Sequence, residues 1–118
     1  MDERVAHGIH LFNTGEYFAC HEVLEEVWTP ERGPQRLFLQ SMIHVAVACY
    51  HIERGNPVGA SRQLHKALRK LAPYLPSCEG IDTERLFREA RALLESVEAG
   101  CPVTEFPKVV FGESAAGS

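Results

Sequence analysis

PQRLFLQSMIHVAVACYHIER, residues 34 to 54, decides the fold. Leu37, Phe38, Leu39, Met42, Ile43, Val45, Ala46, Val47, Ala48, Cys49 and Ile52 leave it apolar almost all the way round. A helix of that kind must be covered on most sides, so it belongs at the centre of a helical domain. Pro34 suits the first turn and Gly55 the stop, giving a helix about 30 Å long at 1.5 Å per residue. Its polar residues Arg36, Gln40, His44 and His51 are spaced by four, four and seven, and at about 100° per residue they share one narrow stripe that runs on through Val47. A stripe facing solvent is normally built from Glu, Lys and Arg. Gln and two His are instead the side chains of binding sites and satisfied interiors.

Working outward, apolar residues recur three and four apart on both sides of this segment, with Gly and Pro between the periodic runs. The pattern predicts an all-α, single-domain bundle of about five helices. The first starts at the N-cap Asp2, carries the seam Val5, Ile9, Phe12, and stops near Asn13 with Gly15 behind it. The second spans about Tyr17 to Trp28. Asn56 and Pro57 open the fourth, with Ala60, Leu64, Ala67, Leu68, Leu71 and Leu75 as its seam, and Pro73 and Pro76 should loosen its end. Asp82 or Thr83 caps the fifth, which Gly100 ends. From Cys101 onward, CPVTEFPKVVF is too rich in Pro and β-branched residues for helix; the core is expected at about 2–100, an extended tail at 101–118, and a frayed end in GESAAGS. Shifted by 40 residues, the chain aligns weakly with itself, Gly15 on Gly55 and Leu24 on Leu64, in the layout of tetratricopeptide-like helical hairpins.

A chain of 118 residues can bury a core of its own, and its formal net charge of -4 comes from 12 basic and 16 acidic residues that are mixed rather than blocked. That balance supplies no electrostatic footprint for nucleic acid or an anionic membrane. No window approaches the roughly 18 uninterrupted apolar residues of a membrane span, and MDERVAHG has charges where a signal peptide needs an apolar run. Cys20, Cys49, Cys78 and Cys101 form no C-x-x-C pair and read as reduced thiols. The expectation is a cytoplasmic protein, with no nucleic acid and no membrane among its partners.

The second helix contains HEVLEEVW, residues 21 to 28, which begins like the zinc-protease signature H-E-x-x-H but has Glu25 at the second histidine position. Helical spacing puts His21, Glu25 and Trp28 on one face, with Glu22 at its margin. If the second and third helices pack antiparallel, that face meets the Gln40, His44, His51 stripe. The candidate binding residues are therefore His21, Glu22, Glu25, Trp28, Gln40, His44 and His51. Two His and one carboxylate with open positions could hold a divalent transition metal such as zinc, iron or manganese, here through His21, Glu25 and His51, with Glu22 as general base. The same side chains could equally form a hydrogen-bonded network in which Glu25 fixes a histidine tautomer and Gln40 satisfies the rest.

The run from Phe12 to Leu71 resembles the small helical proteins catalogued as domain of unknown function 309. The resemblance rests on F-N-x-G-x-Y-x-x-x-H-E-x-x-E-x-x-W from Phe12 to Trp28, F-L-Q at 38–40, A-V-A-x-Y-H at 46–51 and R-G-N-x-x-G-A at 54–60. Ser41 stands where that pattern usually has Gly, and His44 where Gln is common. The resemblance implies an all-α bundle and no established activity; it favours His21, Glu22, Glu25, Trp28, Gln40 and His51 over His44. Three functions are open on this reading: a helical module whose polar site binds a small ligand or protein segment, a metal-dependent hydrolase or oxygen-chemistry enzyme, or a structural polar network in a protein that self-associates as a homo-oligomer or offers a partner surface.

Overall fold

The structure is a computed structural model and describes residues 1–112. Of the frayed end expected over 112–118, all but Gly112 lies outside the described residues. Five helices follow in order, α1 (Glu3–Asn13), α2 (Tyr17–Trp28), α3 (Arg36–Glu53), α4 (Pro57–Leu71) and α5 (Thr83–Glu98). Consecutive helices pack on one another, and α3 has α2 on one side and α4 on the other.

The caps expected from the sequence are in place. Asp2 accepts from the Arg4 amide, Asn56 from the Gly59 amide and Asp82 from the Arg85 amide. Each supplies an acceptor to one of the four amides that a helix start leaves unpaired. α3 begins at Arg36 rather than at Pro34, because residues 33–35 form a turn instead. α4 stops at Leu71 and tightens into a 3-10 turn at Ala72–Tyr74, so Leu75 lies past the helix proper.

The 40-residue offset is visible in the turns. Gly15 donates to Phe12 O at 3.1 Å and Glu16 to Leu11 O at 2.8 Å; Gly55 donates to Ile52 O at 3.1 Å and Asn56 to His51 O at 2.8 Å. Both are Schellman closures, which need a left-handed residue, and the two glycines have φ of 82° and 71°. Leu24 and Leu64 are both fully buried, and Leu24 sits so close to Gly8 that a Cβ there would meet its side chain at 2.7 Å.

One element was not expected, and one expected segment is held more firmly than its composition implies. The segment read as the PSCEG loop holds a two-strand hairpin, Ser77–Cys78 against Ile81–Asp82. The tail crosses the bundle in extended form and is tied to it: Asp82 N donates to Val110 O, and Asn13 both donates to Val109 O and accepts from Val109 N, each at 2.8 Å. Pro107 and Val109 of that strap are buried. Among the described residues no helix is long and apolar enough to cross a membrane.

Candidate functional site

The face between α2 and α4 centres on one line of α3. Between Phe38 and Cys49 every residue of α3 is buried except Gln40, His44 and Val47, which are half-buried, and His51 continues the line one turn later. The apolar periodicity explains this: neighbouring helices claim the rest of the circumference, and the remaining stripe is too narrow for a solvated face.

On the α2 side, His21 donates through Nε2 to the Glu25 carboxylate at 2.8 Å, the i to i+4 geometry of one helix face. Their side chains are 26% and 47% exposed, so the pair lies on an open face rather than inside a pocket. Phe18 stacks between them and α3, its ring 5.7 Å from His21 and 5.4 Å from Tyr50. At the other end Trp28 packs against the core, and the Arg36 guanidinium lies over its ring at 4.2 Å. Arg36 also donates to Trp28 O and Glu31 O, tying the end of α2 to the start of α3. The indole Nε1 of Trp28 is buried without a protein partner.

On the α4 side, His44 Nδ1 donates to Gln63 Oε1 at 2.7 Å, which leaves Nε2 to accept from the Lys70 ammonium at 2.9 Å. Burial holds the His44 pKa below its ordinary value, and the nearby Lys70, Lys66 and Arg69 push the same way against the Gln63 hydrogen bond. Burial likewise lowers Lys70, with Arg69 and Lys66 adding to it. His51 turns to its own next turn, where Nδ1 lies 3.3 Å from Asn56 Nδ2 and the ring edge abuts Gly59. A Cβ on Gly59 would come within 3.1 Å of His51 Cδ2, so the glycine makes room for that ring.

Of the expected site residues, His21, Glu25 and Trp28 line the α2 edge, and Gln40, His44 and His51 the α3 line between α2 and α4. Glu22 is exposed on the α2 edge of this face. The expected metal set does not assemble: among the described residues no three His, Cys, Asp or Glu side chains are grouped to hold a metal ion. His21 and Glu25 engage each other, and His51 is held beside Asn56 at the end of α3. Nor is the site an enclosed pocket. Cavities of about 760 and about 180 Å³ lie elsewhere, the larger between the α1–α2 turn, α5 and the tail, and neither is lined by these residues.

Gln63 and Lys70 went unrecognised in the sequence although the signal was available. Gly59, Gln63, Lys66 and Lys70 recur at helical spacing beside the buried seam Ala60, Leu64, Ala67, Leu71, and so form the edge of α4 that borders α3. Phe18 was likewise passed over, although it is a large apolar residue left 51% exposed.

A central helix bordered on each side by an antiparallel helix, with His, Gln and charged groups along the seam, defines a small all-α module. Residues 5–63 match the family described as domain of unknown function (DUF309), and the chain belongs to that family. It is 35% identical over 93 residues to the uncharacterized protein YpuF of Bacillus subtilis (strain 168), an overlap covering 76% of this chain and 53% of that protein. It is 30% identical over 89 residues to an uncharacterized protein of Aquifex aeolicus (strain VF5), covering 75% of this chain and 26% of that one. The chain thus spans about half the length of the first relative and about a quarter of the second.

Proposed function

We propose that this chain is a binding module whose working surface is the α2–α3–α4 face, and that it takes a small ligand or a protein segment there. One observation carries the reading: the only line of α3 left open between Phe38 and Cys49 is Gln40, His44 and Val47. Buried helices usually lose such a line to a neighbour. Here it is bordered by a His–Glu pair on one side and a His–Gln–Lys chain on the other, groups that can donate and accept at several positions. Open apolar surface at Phe18 adds contact area without hydrogen bonds of its own.

The test is a fragment screen by amide chemical-shift mapping on labelled protein. Fragments should perturb the amides of His21, Gln40, His44, Val47 and His51 more than those of α5. If hits gather instead in the groove under the tail, the working surface has been misassigned.

A structural reading has its own support, since the His44–Gln63 and His51–Asn56 contacts tie α3 to the element after it. It is separated from binding by comparing stability with fragment occupancy in a His44→Gln variant. Loss of stability with unchanged fragment binding favours the structural role.

A further inference from the structure

We infer that the α2–α3–α4 face takes a second copy of this chain, around a two-fold axis running along α3, so that α2 of each copy lies on α4 of the other. This rests on the binding-face reading and adds the partner's identity.

Charge is the first argument. α2 carries Glu22, Glu25 and Glu26 and no Lys or Arg, whereas α4 carries Arg62, Lys66, Arg69 and Lys70 and no Asp or Glu. Glu26 lies near enough to Arg4 of α1 to favour its charge, and Glu22 and Glu25 are the remaining carboxylates of α2. Among the described residues the ion pairs are Arg4–Asp2, His21–Glu25, His65–Glu98 and Arg85–Glu89, so none of the four α4 cations has a carboxylate at ion-pair distance. One edge of the face is acidic, the other is basic, and α3 packs between the two helices that carry them.

Symmetry then selects the arrangement. A two-fold axis along α3 keeps the level of every residue along the helix and exchanges the two edges, so acid meets base twice. A two-fold axis across α3 sets α2 on α2 and α4 on α4, with like charges opposed. An interface of this isologous kind is self-complementary only in the first case.

The register agrees. Phe18 stacks on Tyr50, and His51 beside Tyr50 abuts Gly59, so Phe18 and Val58 lie at the same end of α3. Both are large apolar side chains left open, 51% and 60% exposed. α2 and α4 run in the same direction, each antiparallel to α3. Along α2, Glu22 and Glu25 come about 6 and about 10 Å after Phe18; along α4, Arg62 and Lys66 come about 6 and about 12 Å after Val58. When Phe18 of one copy covers Val58 of the other, Glu22 comes level with Arg62 and Glu25 with Lys66. The 40-residue offset accounts for the match, because it sets Phe18 on Val58 and Glu22 on Arg62, with the charge inverted.

The experiment is sedimentation velocity from about 5 to about 500 μM, a range that brackets micromolar dissociation constants, at ionic strengths of about 0.01 M and about 1 M, where the Debye length falls from about 30 to about 3 Å. The expected result is a mass rising from 13.2 kDa toward twice that value at low salt and a weaker rise at high salt. Glu22→Lys with Glu25→Lys should weaken association about tenfold or more, and so should Arg62→Glu with Lys66→Glu. Mixing the two variants should restore dimers, and so should combining all four substitutions in one chain, which swaps the edges. Glu22, Arg62 and Lys66 are exposed and circular dichroism checks that each variant is folded. A monomer at every concentration, or a dimer indifferent to both reversals, overturns the proposal. If the chain stays monomeric while fragments still perturb His21, Gln40 and His44, only the partner is wrong and the binding face stands.

Discussion

The Lys70 ammonium donates to His44 Nε2 across 2.9 Å, joining α4 to the central helix through a neutral imidazole. The contact works only while His44 lacks a second proton, because a doubly protonated ring has no lone pair to accept with. Burial and the cations of α4 enforce that state by holding the His44 pKa below its ordinary value of 6.5. In the unfolded chain the ring takes up a proton first as pH falls. Its contribution to stability is therefore complete above about pH 6.5 and is lost as pH drops from there toward the folded value. Denaturant melts between pH 7.5 and 5 should show this fall, and His44→Gln should flatten that part of the profile. The His44 Cε1 proton should titrate below pH 6.5 by NMR, and partway back toward 6.5 in Lys70→Gln, where burial still acts.

The His21–Glu25 pair should matter little to stability. With Glu25 47% exposed, its ion pair is screened by water, and such pairs contribute about 0–1 kcal/mol. A buried partner would have cost several times more. Chemical denaturation of Glu25→Gln should shift by under about 1 kcal/mol, while fragment binding on the face weakens.

Arg36 should be the costlier loss. It bonds two backbone carbonyls, Trp28 O and Glu31 O, and its guanidinium covers the Trp28 ring. Arg36→Ala leaves the end of α2 without these partners and should destabilise by about 1–3 kcal/mol, read from urea midpoints at constant slope. Arg36→Lys should recover less than half, since one ammonium cannot span both carbonyls and the ring.

Thiol reactivity should follow burial. Cys20 and Cys49 are buried, and burial pushes Cys20 up to about 12 and Cys49 further still. Cys78 is half-buried, raised by burial, and donates to Gln35, whereas Cys101 is exposed. In native buffer an aromatic disulfide reagent should modify Cys101 within minutes and Cys78 more slowly. All four should react together once the chain is unfolded.

Much of this architecture was legible because it is local. Asp2, Asn56 and Asp82 cap the helices they precede, and Gly15, Gly55 and Gly100 close the ones they follow, since each decision is made within a few residues. The stripe through Gln40, His44 and His51 was legible for the same reason. What the stripe faces was not. Helical angle puts His51 on a line with His44, but its ring is engaged by Asn56 in the turn that follows α3. His44 was discounted because Gln is common at its position, yet its neighbours Gln63 and Lys70 stand 19 and 26 residues away. The tail was foreseen as extended, but its docking on Asn13 across 96 residues has no local signature.

That docking has a kinetic consequence. The helices pack on sequence neighbours, contacts a chain can close early, whereas the Asn13 amide reaches Val109 from the far end and imitates a missing strand by donating and accepting at once. Interactions completed after the folding barrier act on escape from the native state rather than on arrival. Asn13→Ala should leave the refolding arm of the chevron nearly unmoved and steepen loss of the native state, with unfolding accelerated about tenfold for each 1.4 kcal/mol removed. The strap would then set the lifetime of the folded chain, while the helices set how quickly it forms.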